Sequence, residues 1–89
     1  MTVRTAEVPV DSKDDLHLRP MQALVEAASA FTARLTVARG RKQADAKSLL
    51  DVMMLASEKG PLRIEADGAD ADEAVKALTA LMTGPLNKG

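Results

Sequence analysis

The chain contains no cysteine and only one histidine, His17. Without cysteine there is no disulfide framework and no thiolate chemistry, and one histidine by itself does not make a zinc site. Redox and zinc functions are therefore excluded, and we expect neither a bound metal nor a cofactor.

Aromatic residues are nearly absent as well, since Phe31 is the only one among 89 residues. The hydrophobic core must therefore be built from Leu, Val, Ala, Ile and Met. A chain of this length lies near the lower end of the usual domain range, so one core is the natural expectation. The sequence predicts a single domain over residues 1–89.

Long apolar runs and a strong net charge are also missing. Eighteen apolar residues nowhere occur together and no apolar run follows Arg4, which argues against a membrane span and a signal peptide. The net charge is −1 with both signs interspersed, unlike the charge pattern of a nucleic-acid binder. We expect a cytoplasmic protein that neither inserts into a membrane nor binds nucleic acid.

One basic group, formed by Arg34, Arg39, Arg41 and Lys42, departs from this mixed pattern. Basic side chains commonly flank a hairpin, where they keep the sheet edge soluble and prevent it from pairing with other chains. We interpret the group in this way rather than as a contact with nucleic acid.

Hydrophobic periodicity predicts seven elements along the chain. In order, they are a strand at 3–10, a helix from about 20 to 33, strands at 34–39 and 41–46 around Gly40, a short helix from Ser48 to about 59, a strand at 62–67 and a helix from about 70 to 83. Three helices with apolar stripes and four strands with one apolar face predict a two-layer α+β domain with the helices on one side. Periodicity does not choose the strand order, and a ferredoxin-like arrangement has nearly the same string of elements.

The segment that carries chemistry is His17-Leu18-Arg19-Pro20 at the start of the first helix. The first N–H groups of a helix have no intrahelical partner and carry partial positive charge, so they favour an anion bound there. Imidazole has a reference pKa of about 6.5, which leaves a free base near pH 7. We therefore predict that His17 accepts and passes on a phosphoryl group, which Arg19 would hold; the alternative is a histidine that merely flanks the helix.

A second polar helix start is predicted at Ser48, where Asp51 follows three residues later as in a capping box. Asp70 and Glu73 repeat this pattern before the last helix. We interpret Met53 and Met54 as core or near-core residues, although adjacent helical positions differ by 100° and some apolar surface should remain there.

Three blocks together resemble a known family, the histidine-containing phosphocarrier protein (HPr) of the bacterial sugar phosphotransferase system. The blocks are Leu16-His17-Leu18-Arg19-Pro20, Ala46-Lys47-Ser48-Leu49-Leu50 and Ala66-Asp67-Gly68-Ala69-Asp70. Their spacing fits the family without gaps over nearly the whole length.

The resemblance implies an open-faced sandwich with a four-stranded antiparallel sheet covered on one face by three helices. It implies that His17 is phosphorylated on Nδ1 by enzyme I, which is charged from phosphoenolpyruvate, and donates the group to an enzyme II A component. Arg19 would stabilise the phosphoryl group, and Ser48 would be a regulatory site for an ATP-dependent HPr kinase. The protein would thus be a monomeric carrier component rather than an independent catalyst.

The resemblance also implies a surface on which these partners dock. Its residues would be Leu18, Met21, Gln22, Val25, Leu49, Leu50 and Met53. Four positions depart from the family pattern: Asp15, Asp51 and Ala56 stand where glycine is common, and Leu18 replaces a small residue between the histidine and the arginine. Two other functions stay open, namely a regulatory relative in a nitrogen-type or catabolite-control branch and an interaction module in which His17 is inert.

Overall fold

The computed structural model describes residues 3–9 and 18–83. Strands β1 to β4 and helices α1 to α3 follow in the predicted order, with a 3₁₀ helix continuing α2. Their bounds are β1 Val3–Val8, α1 Leu18–Ser29, β2 Arg34–Arg39, β3 Lys42–Asp45, α2 Leu49–Met53, the 3₁₀ helix Met54–Ser57, β4 Leu62–Asp67 and α3 Ala71–Thr83. The expected α+β open-faced sandwich is confirmed.

The four strands form one antiparallel sheet in the order β1-β4-β2-β3. One row across the sheet aligns Ala6, Ile64, Val37 and Ala44. The structure thus establishes the strand order, which the periodicity of the sequence did not determine. This order also makes β1 and β3 the two edges, and Pro9 follows the last residue of the β1 edge strand.

The core lies between the sheet and the three helices, because alternate strand residues face inward. In β4, Leu62, Ile64 and Ala66 are buried while Arg63 and Glu65 are exposed. Helix α3 packs on β1 and β4, α1 packs against α3 and α2, and α2 lies against β3. No helix within residues 3–9 and 18–83 covers the opposite face of the sheet, where Arg63 and Glu65 are exposed.

Helix α1 ends at Ser29, four residues before the predicted end at Ala33. The N–H groups of Ala30 and Phe31 make tighter bonds to carbonyls three residues back, and a carboxylate distant in sequence takes the next two N–H groups. The two Asp70 oxygens accept hydrogen bonds from the backbone N–H groups of Thr32 and Ala33, each at 2.8 Å. These N–H groups are the ones that would otherwise continue the helix, so the chain leaves α1 and enters β2.

The same contact changes the interpretation of Asp70, which was predicted only to cap the last helix. The N–H of Thr32 and then that of Ala33 lower the pKa of the Asp70 carboxyl below its usual value, although partial burial opposes them. Gly68 lies beside this contact with φ +152°, and a Cβ added there would come within 2.9 Å of the Ala33 Cα atom. The connections before β2 and before α3 thus meet in one tight joint, which we call the Asp70 joint (Thr32, Ala33, Gly68 and Asp70).

The interpretation of the basic group fails at one of its four members, Arg39, while Arg34 and Arg41 are exposed as expected of side chains that flank a hairpin. Arg39 follows Leu35 and Val37 on the inward row of β2 and is fully buried, with Nε donating to the Gly60 carbonyl at 2.9 Å. A buried guanidinium requires such an acceptor. Lys42 is also engaged, because its Nζ donates to Ser57 Oγ at 2.9 Å.

Candidate functional site

The first helix begins at Leu18, the residue after His17. His17 itself lies outside the described residues. The helix carries no acidic residue in its first turn, so none of its own carboxylates compensates the positive end of the dipole. Because Pro20 has no N–H, the free donors of the first turn are the N–H groups of Leu18 and Arg19. An anion next to this turn would therefore meet backbone donors and no competing acid from the helix.

Arg19 is exposed on the first turn of α1. The ion pairs between described residues join Arg4 and Lys76 to Asp72, and Lys42 to Glu58, and none of them engages Arg19. The guanidinium is therefore available to an anion, and its fork of N–H groups matches phosphate oxygens.

Ser48 is the N-cap of α2, as predicted. Its backbone is extended and its Oγ accepts a long hydrogen bond of 3.4 Å from the Asp51 N–H. The reciprocal half of the predicted capping box is absent from the hydrogen bonds among described residues. The Asp51 Oδ2 atom instead accepts from the Asp45 N–H at 3.4 Å, while Asp45 Oδ1 accepts from the Lys47 N–H at 2.9 Å. Two carboxylates thus flank the serine.

The start of α2 is tied to the end of α1 by Lys47. Its Nζ atom donates to the Phe31 carbonyl at 2.8 Å. Helices α1 and α2 also pack directly against each other. The structure therefore brings two of the predicted segments, the helix after His17 and the helix after Ser48, to one side of the molecule.

The predicted docking residues divide by exposure. Leu18, Gln22, Leu50 and Met53 are exposed, with Leu50 showing 79% of its surface, and Val25 and Leu49 are half-buried. The prediction that Met21 belongs to the docking surface is wrong. Its side chain lies in the buried core cluster and offers almost no surface to a partner. The apolar stripe of α1 explains this position, since Met21 lies three residues before the fully buried Leu24.

The interpretation of Met53 and Met54 as core residues is wrong, because both are exposed. Val52 and Leu55 on either side are fully buried and fix the inward face of the segment. Met54 was missing from the predicted docking residues. The sequence pattern that could have identified it is its spacing of four residues from Leu50. Together with the three-residue spacing of Met53, this places Leu50, Met53 and Met54 on one helical face.

Neither a cluster of metal-ligating side chains nor a membrane-spanning helix lies in the described ranges. No group of three or more His, Cys, Asp or Glu side chains within residues 3–9 and 18–83 could hold a metal ion. In the same ranges no helix is long and apolar enough to cross a bilayer.

Comparison with known proteins identifies relatives over nearly the full length. Residues 4–84 match the family model described as the PTS HPr component phosphorylation site. The phosphocarrier protein HPr of Haemophilus influenzae is 42% identical over 77 residues, which cover 85% of this chain and 91% of that protein.

Two solved structures are similar in fold and sequence. The histidine-containing phosphocarrier protein of Mycoplasma has a TM-score of 0.81 and 34% identity, with 89% of this chain and 91% of that chain covered. The phosphocarrier protein HPr of Bacillus anthracis has a TM-score of 0.78 and 30% identity, with 91% and 98% covered. Sequence and fold therefore point to the same family.

Proposed function

The chain belongs to the HPr family of phosphocarrier proteins of the phosphotransferase system, and from this premise we propose that His17 carries the phosphoryl group. The proposed donor is enzyme I, charged from phosphoenolpyruvate, and the proposed acceptor is an enzyme II A component. The observation that supports this most is the position of His17 immediately before a helix whose first turn has backbone donors and no acid.

In the proposed reaction, the lone pair of the His17 Nδ1 atom attacks the phosphorus atom held by enzyme I. A P–N bond to His17 forms as the bond to the donor breaks, so the phosphoryl group moves without oxidation or reduction. The second transfer repeats this exchange, with His17 as the leaving group. Because charge spreads over the phosphoryl oxygens, the carrier has mainly to position them and to offer donors.

Arg19 is proposed to supply such donors. It is one helical residue from the start of α1, exposed, and engaged in no ion pair with another described side chain. A guanidinium binds two phosphoryl oxygens at once, which an ammonium group does not. Arg19→Lys is therefore expected to slow transfer about ten-fold while preserving the charge.

The partner surface is proposed to lie on α1 and α2. We define the docking surface as Leu18, Gln22, Val25, Leu49, Leu50, Met53 and Met54. Exposed apolar patches on small proteins commonly mark interaction sites, and Met side chains adapt to several partners. One surface of this kind would suit a carrier that meets a donor and an acceptor in turn.

A mass measurement tests the transfer. The chain is incubated with phosphoenolpyruvate and purified enzyme I, and one acid-labile phosphoryl group per chain is expected. Addition of an enzyme II A component should then remove it. If the chain gains no mass while a known HPr in a parallel tube does, the carrier proposal fails and a non-phosphorylated interaction module remains. Loading without discharge to any A component would indicate the regulatory relative instead.

Ser48 is proposed as a regulatory phosphorylation site for an ATP-dependent HPr kinase. Ser48 is half-buried and its hydroxyl oxygen accepts one long hydrogen bond, so the hydroxyl can be released without loss of a strong contact. The Asp45 and Asp51 carboxylates nearby would repel the added dianion. Modification should therefore proceed more slowly than in a relative that lacks these acids.

Treatment with ATP and an HPr kinase tests both the phosphorylation of Ser48 and its slowing by the nearby carboxylates. An acid-stable phosphoryl group is expected on the wild-type chain, none on Ser48→Ala, and a faster reaction on Asp51→Asn. Asp72→Asn, which removes an equal charge on α3, should react at the wild-type rate. An adduct that persists in Ser48→Ala would contradict the assignment to Ser48.

A further inference from the structure

The methionines of the described segments fall into two contrasting pairs. Met53 and Met54 are 44% and 55% exposed, whereas Met21 and Met82 are 4% and 1% exposed. All four carry the same thioether, so they differ only in their surroundings. The molecule therefore contains its own comparison between sulfur atoms that solvent reaches and sulfur atoms enclosed in the core.

The two exposed methionines occupy the point where α2 passes into the 3₁₀ helix. Val52 and Leu55 are fully buried on either side of them and hold the segment against the core. The exposure of Met53 and Met54 is therefore set by the packing of their neighbours. Leu50, 79% exposed, lies three and four residues earlier on the same helical face.

Thioethers at such positions react with two-electron oxidants of the peroxide class. The sulfur attacks one oxygen of hydrogen peroxide, an S–O bond forms as the O–O bond breaks, and the other oxygen leaves as hydroxide, which takes the proton of the transferred oxygen and becomes water. Sulfur thereby loses two electrons and the peroxide gains them. The chain has no cysteine, so no thiolate of its own competes for the oxidant.

We propose that Met53 and Met54 form an oxidation site through which peroxide weakens partner docking. Each sulfoxide replaces an adaptable apolar side chain by a polar one, whose oxygen must lose water when the surface is covered. The change adds no charge and removes no core residue, so the fold is retained. The site itself rests on exposure and chemistry, whereas the consequence for docking rests on the proposed carrier function.

The first part of the test is mapping of the modification. The full chain is treated with increasing hydrogen peroxide, digested, and analysed by peptide mass spectrometry. Met53 and Met54 should each gain one oxygen atom at least ten times faster than Met21 and Met82, because burial excludes the reagent. Oxidation of Met21 and Met82 at the same rate as Met53 and Met54 would overturn the proposed site.

The second part measures transfer from enzyme I as a function of carrier concentration. Peroxide treatment should raise KM for the carrier about five-fold with little change in kcat, and methionine sulfoxide reductases A and B together should restore it. In Met53→Leu/Met54→Leu, the ratio of treated to untreated KM should stay near one. Equal KM values for oxidised and untreated wild type would overturn the effect on docking.

Failure of the carrier function itself remains distinguishable from failure of this proposal. An untreated chain that enzyme I does not phosphorylate contradicts the carrier function and the effect on docking that depends on it. The peptide map still decides the oxidation site, because it requires no phosphoryl transfer. Unchanged thermal unfolding after mild oxidation would support the view that only the surface is modified.

Discussion

The starts of α2 and α3 have the same local pattern, a polar residue followed by an acid three positions later, yet they form different structures. At α2, Ser48 makes a single 3.4 Å capping bond to the Asp51 N–H, and exposed Leu50 follows. At α3, Asp70 reaches across 37 and 38 residues to two N–H groups at 2.8 Å. The Ser48 cap of α2 is weak, although Lys47 beside it donates to the Phe31 carbonyl at 2.8 Å, whereas at α3 the cap residue itself closes a tertiary joint.

This difference separates function from stability within one small domain. The Ser48 hydroxyl is only lightly bonded and Leu50 is exposed, which suits the proposed docking and modification surface. The Asp70 joint holds the connections before β2 and before α3 together, so it maintains the fold that presents the proposed docking surface. Mutations at the two places should therefore affect different measurements.

The largest effect on stability is expected from Gly68→Ala in the Asp70 joint. The side chain would have to adopt φ +152° and would approach the Ala33 backbone within 2.9 Å. We expect a loss of about 3 kcal/mol in the free energy of unfolding, measured with urea. Gly60→Ala is the matched control, since Gly60 has φ +102° but its added Cβ meets no atom within 4 Å. A loss at Gly68 no greater than that at Gly60 would contradict the close packing of the joint.

A smaller, pH-dependent loss of stability is expected from Asp70→Asn. The folded pKa of Asp70 lies below the ordinary value of 3.8, so the carboxylate stabilises the fold above that value and this contribution disappears as pH falls through the folded pKa. The melting temperatures of wild type and variant should therefore differ at pH 7 and converge in acid. Asp72→Asn, at an exposed position on α3, should show little difference at either pH. A constant gap between Asp70→Asn and wild type from pH 7 into acid would contradict the assignment.

Leu50→Ser should impair docking while leaving the fold intact. The exposed leucine contributes little to the core, so unfolding should change by less than about 0.5 kcal/mol, whereas KM for the carrier with enzyme I should rise about five-fold. Val3→Ser provides the control, because Val3 is 46% exposed but lies on β1, at the sheet edge opposite the β3 edge that α2 contacts. Equal KM values for the two variants would contradict the placement of the docking surface.

The smallest effect is expected from Ser48→Ala. A good N-cap contributes about 1 kcal/mol, and the 3.4 Å bond of Ser48 should contribute about half of that. Ser48→Thr keeps the hydroxyl oxygen and should unfold like the wild type in urea. A loss in Ser48→Ala as large as that in Gly68→Ala would remove the contrast between the two helix starts.

The sequence predicted the elements well because periodicity reports which side of a strand or helix is buried. Leu62, Ile64 and Ala66 alternate as expected, and Ser48 caps α2 as its position predicts. The part that could not be predicted depends on contacts distant in sequence. The Asp70 carboxylate accepts hydrogen bonds from Thr32 and Ala33 just after the end of α1, and no local pattern contains these bonds.

Burial of individual side chains was also predicted incompletely at the candidate site. Arg39 continues the inward alternation of β2 and is buried, whereas its charge alone predicts an exposed side chain. Met21 belongs to the same apolar stripe as Leu24, so the stripe predicted its burial better than the resemblance predicted its role in docking. Met54 was missed because its neighbours, rather than its own type, decide its exposure.

The most direct test of the account is to locate the phosphoryl group after loading with phosphoenolpyruvate and enzyme I. Nitrogen NMR of chain labelled at the imidazole should show one phosphorylated ring, modified at Nδ1 of His17, and His17→Ala should remain unmodified under the same conditions. A phosphoryl group found on another residue, or one that His17→Ala still accepts, would contradict the claim that His17 is the carrier.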